Sequence, residues 1–195
     1  ASYASLEEIR KALMDFKASG KWIIAYGDQY TQDMYYLASV ADKIIVNPQG
    51  TISWHGLASQ SIFFKDVLNK LGIEMQIFKV GTYKSAVEPF IATEMSPANR
   101  EQVTAFLHST WNQIISDIAA SRSMSTDELN NLADQLMDLK PAEEYIANGL
   151  ADTLMYQDEV LSFLKDKMGY ESDESLNTLT LEDMKNVKRN TPLHK

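Results

Sequence analysis

Cysteine is absent from the 195 residues, and with it go disulfides, thiolate catalysis and zinc knuckles. Histidine is nearly absent: His55, His108 and His194 are scattered without ligand spacing, which argues against a transition-metal site. The eight glycines are dispersed, and none builds a G-x-G-x-x-G turn or a Walker loop, so no phosphate cradle is encoded. Positive charge is scarce as well, with 18 Lys and Arg against 27 Asp and Glu, a formal charge of -9 and a pI near 4.8. No basic field is available to gather phosphates, which excludes nucleic acid as a partner. The apolar runs are broken by charge every few residues and none has the length of a membrane span. The opening residues also lack the pattern of a signal peptide.

What remains is an ordinary globular balance, 45% hydrophobic and 23% charged, in a chain long enough to bury one good-sized core. ASYASLEEIRKALMDF begins in mid-helix pattern, with Leu6, Ile9, Leu13 and Phe16 on one face. A start of this kind, with no initiator methionine, reads as a piece of something longer. Gly20 stops the helix. KWIIAYGD and DKIIVNPQG predict buried strands around a short helix in TQDMYYLASVA. SQSIFFKDVLNKLG predicts an amphipathic helix with Ile62, Val67, Leu68 and Leu71 inward, and IEMQIFKVG (residues 73–81) a third strand. Strand and helix alternating at this spacing imply parallel crossovers and an α/β sheet.

Ser96 and Pro97 then open a long helix as N-cap and first residue. Val103, Phe106, Leu107, Trp111, Ile114, Ile115 and Ile118 form its apolar stripe, a pattern of core or partner surface rather than of a cofactor box. Ser125 to Glu128 has capping-box spacing. PAEEYIANG and QDEVLSFLKDKMG predict two more helices, with a strand at ADTLM between them. Residues 170–195 turn polar and read as an exposed connection with a weak helix at 181–188. The organisation expected is an α/β core over 1–95, a helical part of the same domain over 96–169 and a linker over 170–195.

The chemistry-bearing stretch is KVGTYKSAVEPF, residues 79–90. A lysine is normally protonated at neutral pH, and serving as a base there takes about three pK units of depression from roughly 10.4. Lys84 has no acid beside it until Glu88, which fits a desolvated lysine, although a solvated lysine at a strand end has the same local sequence. Ser85 is adjacent, but neighbours in an extended segment point to opposite faces and do not readily share a proton. Ser53, Ser59 and Ser61 lie in no G-x-S-x-G elbow, and Ser53 and His55 have no acid spaced to orient the ring. The residues reveal no nucleophile. Glu88 and Glu94 read as surface acids, and Trp22, Tyr26, Tyr30, Tyr35 and Tyr36 as core aromatics.

YYLASVADKIIVNPQG (residues 35–50), KVGTYKSAVEPF and the MSPANRE helix start, in that order, closely resemble the signal peptide peptidase A (protease IV) family of bacterial serine peptidases. The resemblance runs over roughly residues 6–190. It implies a crotonase-like α/β spiral, shared with the Clp protease, and a Ser/Lys dyad in which a neutral lysine takes the proton of an attacking serine. The matching lysine is Lys84. In long-form members an amino-terminal copy supplies the lysine and a carboxy-terminal copy the serine, which stands in an S-G-G before a Y-Y-I-A-like string. Here Gln32, Asp33 and Met34 precede Tyr35-Tyr36-Leu37-Ala38, so Gln32 occupies the serine position, and a carboxamide cannot attack.

The resemblance therefore implies an amino-terminal copy whose nucleophile lies elsewhere and whose upstream strands are absent. It also implies cleavage of signal peptides and other apolar membrane-derived peptides with no metal or organic cofactor. A homo-oligomer is implied too, with the catalytic body outside the cytoplasm at the bacterial membrane. Tyr83 and Ser85 are expected to help orient the lysine. Two alternatives stand beside this: an inert assembly domain using the 97–118 stripe, and an acyl-CoA enzyme of the same fold superfamily, which the lack of a glycine-rich oxyanion pair discourages.

Overall fold

The computed structural model describes residues 2–78, 80–185 and 187. They fall into two compact units, residues 1–154 and residues 155–195. The first begins with α1 (Tyr3–Ala18), where Ser2 Oγ accepts the Ser5 N–H. The face that turns inward is not wholly the apolar one: Leu6 and Arg10 are buried, while Ile9 and Phe16 are exposed. β1 (Ile24–Tyr30), α2 (Gln32–Ala38) and β2 (Lys43–Ile52) follow on the apolar runs that predict them. β1 and β2 pair in parallel from Ile24 against Lys43, with an irregularity between Gly27 and Gln29. Gly50 lies at this irregularity, and a Cβ there would come within 2.6 Å of the Asp28 carbonyl oxygen. Only glycine permits that approach.

The third strand is β3 (Thr153–Leu154), which extends the sheet in the order β1-β2-β3 by pairing in parallel with Ile45 and Val46. It lies in ADTLM. The strand expected at 73–81 does not form among the described residues, where no strand pairs with this segment. The helix expected at 59–72 shrinks to α3 (Lys65–Lys70), and Ile62, Val67 and Leu71 are exposed rather than inward. Parallel strands joined through helices make the first unit an α/β fold.

After α3 come α4 (Glu88–Ile91), α5 (Pro97–Arg122), α6 (Thr126–Ala133), a 3-10 turn (Met137–Leu139) and α7 (Glu143–Ala147). The caps fall where the sequence places them: Ser96 Oγ accepts the Asn99 N–H, and Ser125 with Glu128 closes a capping box. Of the α5 stripe, Ile114, Ile115 and Ile118 enter the core with Tyr35, Tyr36, Trp54, Leu129 and Tyr145. Each such aliphatic side chain contributes about 1.5–3 kcal/mol by leaving water. Phe106, nearer the start of α5, stays exposed. Trp22 is exposed too, while Tyr30, Tyr35 and Tyr36 are buried as core residues.

Two polar ties register α5 against the sheet. Arg122 donates to Asp152 Oδ1 (2.7 Å) and to the Gly149 carbonyl, while Asp152 Oδ2 accepts the Ile44 N–H at 2.7 Å. Burial alone pushes the Asp152 carboxyl up, but the Arg122 and Ile44 hydrogen bonds outweigh it and hold it below the ordinary range. In the second unit, α8 (Gln157–Met168) ends at Gly169, whose φ of 75° suits glycine. α9 (Leu181–Met184) covers the start of the helix expected at 181–188; Asn186 and Lys188 lie outside the described residues. No helix among the described residues is long and apolar enough to cross a membrane.

Candidate active site

Lys84 follows a turn at Thr82 and Tyr83 and is not at a strand end. Gly81 takes a φ of 103°, a conformation that favours glycine, and its Cβ position lies 3.8 Å from Lys84 Cγ. The turn delivers Lys84 to the wall of an open cleft of about 620 Å³, with Phe78, Val80, Tyr83 and Ser85 also lining it. Phe78 and Val80 are 97% and 89% exposed, so the cleft presents apolar surface to whatever enters. Lys84 itself is exposed, and the apolar enclosure expected around it does not form among the described residues. Among the described residues Lys84 makes no ion pair.

Lys84 and Ser85 lie in no strand, and both line the same cleft, unlike neighbours of an extended segment. No hydrogen bond joins the two side chains among the described residues. The Ser85 carbonyl instead accepts the Glu88 N–H at 3.0 Å. Tyr83 Oη donates to Glu101 Oε2 at 3.2 Å, and that hydrogen bond raises the phenol above its ordinary pKa.

Glu88, expected at the surface, is 3% exposed. Ser96 Oγ donates to its Oε1 at 2.5 Å, and the Ser96 N–H and Asn99 Nδ2 donate to Oε2 at 3.2 and 2.9 Å. A carboxylate at the start of a 26-residue helix also meets the positive end of its dipole. The signal for this was present in the sequence: an acid stands eight residues before a Ser-Pro helix start, close enough for a short turn to bring it back.

Gln32 occupies another cleft, of about 460 Å³, with Tyr3 and His55. The two clefts share no lining residue. The Gln32 carboxamide is 6% exposed, donates to Tyr3 Oη and the Gly56 carbonyl, and accepts the His55 and Gly56 N–H groups at 3.1 and 3.0 Å. All four of its hydrogen-bonding capacities are used, which makes it a brace between α1, α2 and the 54–57 loop. A Gln32→Ser variant leaves these partners short of hydrogen bonds and is expected to cost about 1–3 kcal/mol in an unfolding measurement, with no hydrolytic activity gained. Ser53 donates its N–H to the Tyr30 carbonyl, Ser59 and Ser61 are exposed, and His55 Nδ1 lies 3.2 Å from the Gly56 carbonyl. No triad forms among them.

Lys84 thus follows a glycine-containing turn, lines an open cleft that carries exposed apolar side chains, and makes no ion pair among the described residues. Residues 15–171 match the profile of Peptidase family S49, and the chain belongs to that family. It is 42% identical to Protease 4 of Salmonella typhi over 71% of its length and 40% identical to Protease 4 of Haemophilus influenzae over 72%. It is also 28% identical to the chloroplastic serine protease SPPA of Arabidopsis thaliana over 96% of its length. The chain spans about a quarter of the length of these relatives, 22%, 23% and 27% respectively. This is the signal peptide peptidase A and protease IV family that the sequence motifs resemble.

Proposed function

We propose that this chain is the lysine-donating part of a composite serine peptidase site, with Lys84 as general base and the nucleophilic serine contributed by another copy of the domain. The observation that carries the reading is the pairing of Lys84, without an ion pair among the described residues, at an open apolar cleft with a serine position filled by the buried, fully bonded Gln32. In the reaction, the serine Oγ attacks the peptide carbonyl carbon as its proton passes to Lys84 Nζ. The C–N bond then breaks as Lys84 returns that proton to the leaving amine, and water repeats the sequence on the acyl-enzyme.

The exposed Lys84 becomes a competent base when the second copy covers the cleft and excludes water. Phe78 and Val80 at its rim favour apolar peptides, such as cleaved signal peptides, as substrates. A crotonase-like spiral assembled as a homo-oligomer at the outer face of a bacterial cytoplasmic membrane belongs to the same reading. The test is labelling of the full-length protein and its Lys84→Ala variant with a serine-directed fluorophosphonate, followed by peptide mapping. The expected adduct lies on a serine outside residues 1–195 and disappears in the variant. An adduct on Ser53, Ser59, Ser61 or Ser85, or labelling undiminished in Lys84→Ala, overturns the proposal.

A further inference from the structure

The Lys84 turn is tied to the first two turns of α5 on both of its sides. Ahead of Lys84, Tyr83 Oη reaches Glu101. Behind it, the Ser85 carbonyl accepts the Glu88 N–H, and the Glu88 carboxylate takes three donors from Ser96 and Asn99. The two ties are unequal. Tyr83 and Glu101 meet in solvent at 3.2 Å, where a hydrogen bond holds little. The Glu88 cluster is buried, and its bonds run in series: Ser96 gives its hydroxyl proton to Glu88 while its oxygen accepts the Asn99 N–H at 3.2 Å. A buried carboxylate with three donors is costly to displace. The chain from 85 to 88 therefore takes its position from α5. Phe64 reinforces the arrangement, donating its N–H to the Pro89 carbonyl at 2.6 Å and stacking on Phe90 with centroids 6.1 Å apart.

We infer that Glu88 is a positioning residue for Lys84: it fixes the lysine turn on the amino-terminal end of α5, so that Nζ is presented at the geometry proton transfer requires. The inference rests on the reading of Lys84 as the base. Glu88 touches neither substrate nor the reacting atoms, and it acts through the 85–88 turn. Its hydrogen bonds to Ser96 and Asn99 are what tie the turn to α5, so the role inferred is geometric. That has a consequence for the amide. Glutamine at position 88 keeps an oxygen for the Ser96 and Asn99 N–H groups, and its NH₂ can donate to the free lone pair of Ser96 Oγ.

The experiment is steady-state hydrolysis of an apolar reporter peptide by the full-length protein and its Glu88→Ala, Glu88→Gln and Lys84→Ala variants, each corrected for folded fraction. Displacing a catalytic group by about 1 Å costs on the order of 100-fold. Glu88→Ala is expected to lower kcat by about that factor with KM changed less than about threefold, and Glu88→Gln to restore kcat to within roughly tenfold of the parent. A variant destabilised elsewhere, Ile118→Val in the core, controls for stability alone and is expected to leave kcat per folded molecule unchanged.

If Glu88→Ala fails to fold, Asn99→Ala, which removes one donor from the same cluster, decides, with a kcat loss of about tenfold expected at constant KM. Full kcat in Glu88→Ala, or in Asn99→Ala where that variant decides, overturns the inference. So does an equal loss in Glu88→Gln and Glu88→Ala, which would make the charge the cause. Should Lys84→Ala itself remain active, the underlying reading of the base fails. Loss in Lys84→Ala with full activity in Glu88→Ala removes this inference alone.

Discussion

Lys84→Ala in the full-length protein is expected to lower kcat for peptide hydrolysis by about 1,000-fold while leaving the unfolding midpoint unchanged. A positioned general base is worth about 10²–10⁴-fold. A base that works as one unit with its nucleophile falls toward the upper part of that range, because removing either member disables both. The absence of a stability effect follows from the structure. Lys84 is exposed and makes no ion pair among the described residues, so truncating it removes no buried contact of this chain. Lys84→Arg sharpens the result. Guanidinium keeps the positive charge but does not give up its proton in a protein. Equal loss in Arg and Ala variants makes proton transfer the function of the residue, whereas retained activity in Lys84→Arg would mean that the site needs only a cation. Activity near the parent level in Lys84→Ala would leave this domain a scaffold.

The elements built by local chemistry were readable in the sequence. The run in β2 is apolar because that strand lies between β1 and β3 with Ile44, Ile45, Val46 and Ile52 buried, whereas β1 is an edge strand and mostly half-buried. Ser96-Pro97 and Ser125 to Glu128 cap their helices through bonds three residues away. What escaped depends on distant partners. IEMQIF has strand composition, but a strand exists only where another backbone accepts its hydrogen bonds, and the sheet takes Thr153–Leu154 instead. The inward face of α3 was misjudged for the same reason: periodicity identifies an apolar side without saying what covers it. The motif singles out Lys84 as a candidate, but it does not give the setting, since a strand-end placement presupposes a strand at 73–81. The sequence around Glu88 reads as that of a surface acid because Ser96 and Asn99, which donate to its carboxylate, stand eight and eleven residues further on. Arg10 was likewise hidden inside an apolar stripe.

That arginine carries the largest stability effect expected in the fold. It is 3% exposed and ties three helices. From α1 its Nη1 donates to the Tyr36 carbonyl and to Ser39 Oγ (2.7 Å), and its Nη2 donates to the Asp117 carbonyl (2.8 Å) and Ser121 Oγ (2.6 Å). Its guanidinium also lies 4.8 Å from the centroid of the Tyr36 ring. Tyr36 Oη in turn donates to Asp117 Oδ2 at 2.6 Å, so α2 and α5 are joined directly as well as through Arg10. Removing one member of a buried charged cluster costs about 3–5 kcal/mol, because the partners left behind lose their hydrogen bonds without regaining water. For a domain of this size each kcal/mol moves the midpoint by about 2–4 °C, so Arg10→Ala is expected to lower it by roughly 6–20 °C. Arg10→Lys retains the charge but not the planar fork that serves two helices at once, and a drop of about half that size is expected. Thermal unfolding followed by near-UV circular dichroism measures both. A fall of less than about 2 °C in Arg10→Ala would show that the Tyr36–Asp117 bond suffices to join the helices. Because α5 carries the Arg10 clamp toward its carboxyl end and the Glu88 cluster at its start, the two are separated by most of a long rigid helix. Arg10 variants should therefore lose activity in proportion to the folded fraction, while Glu88 variants lose turnover in molecules that remain folded.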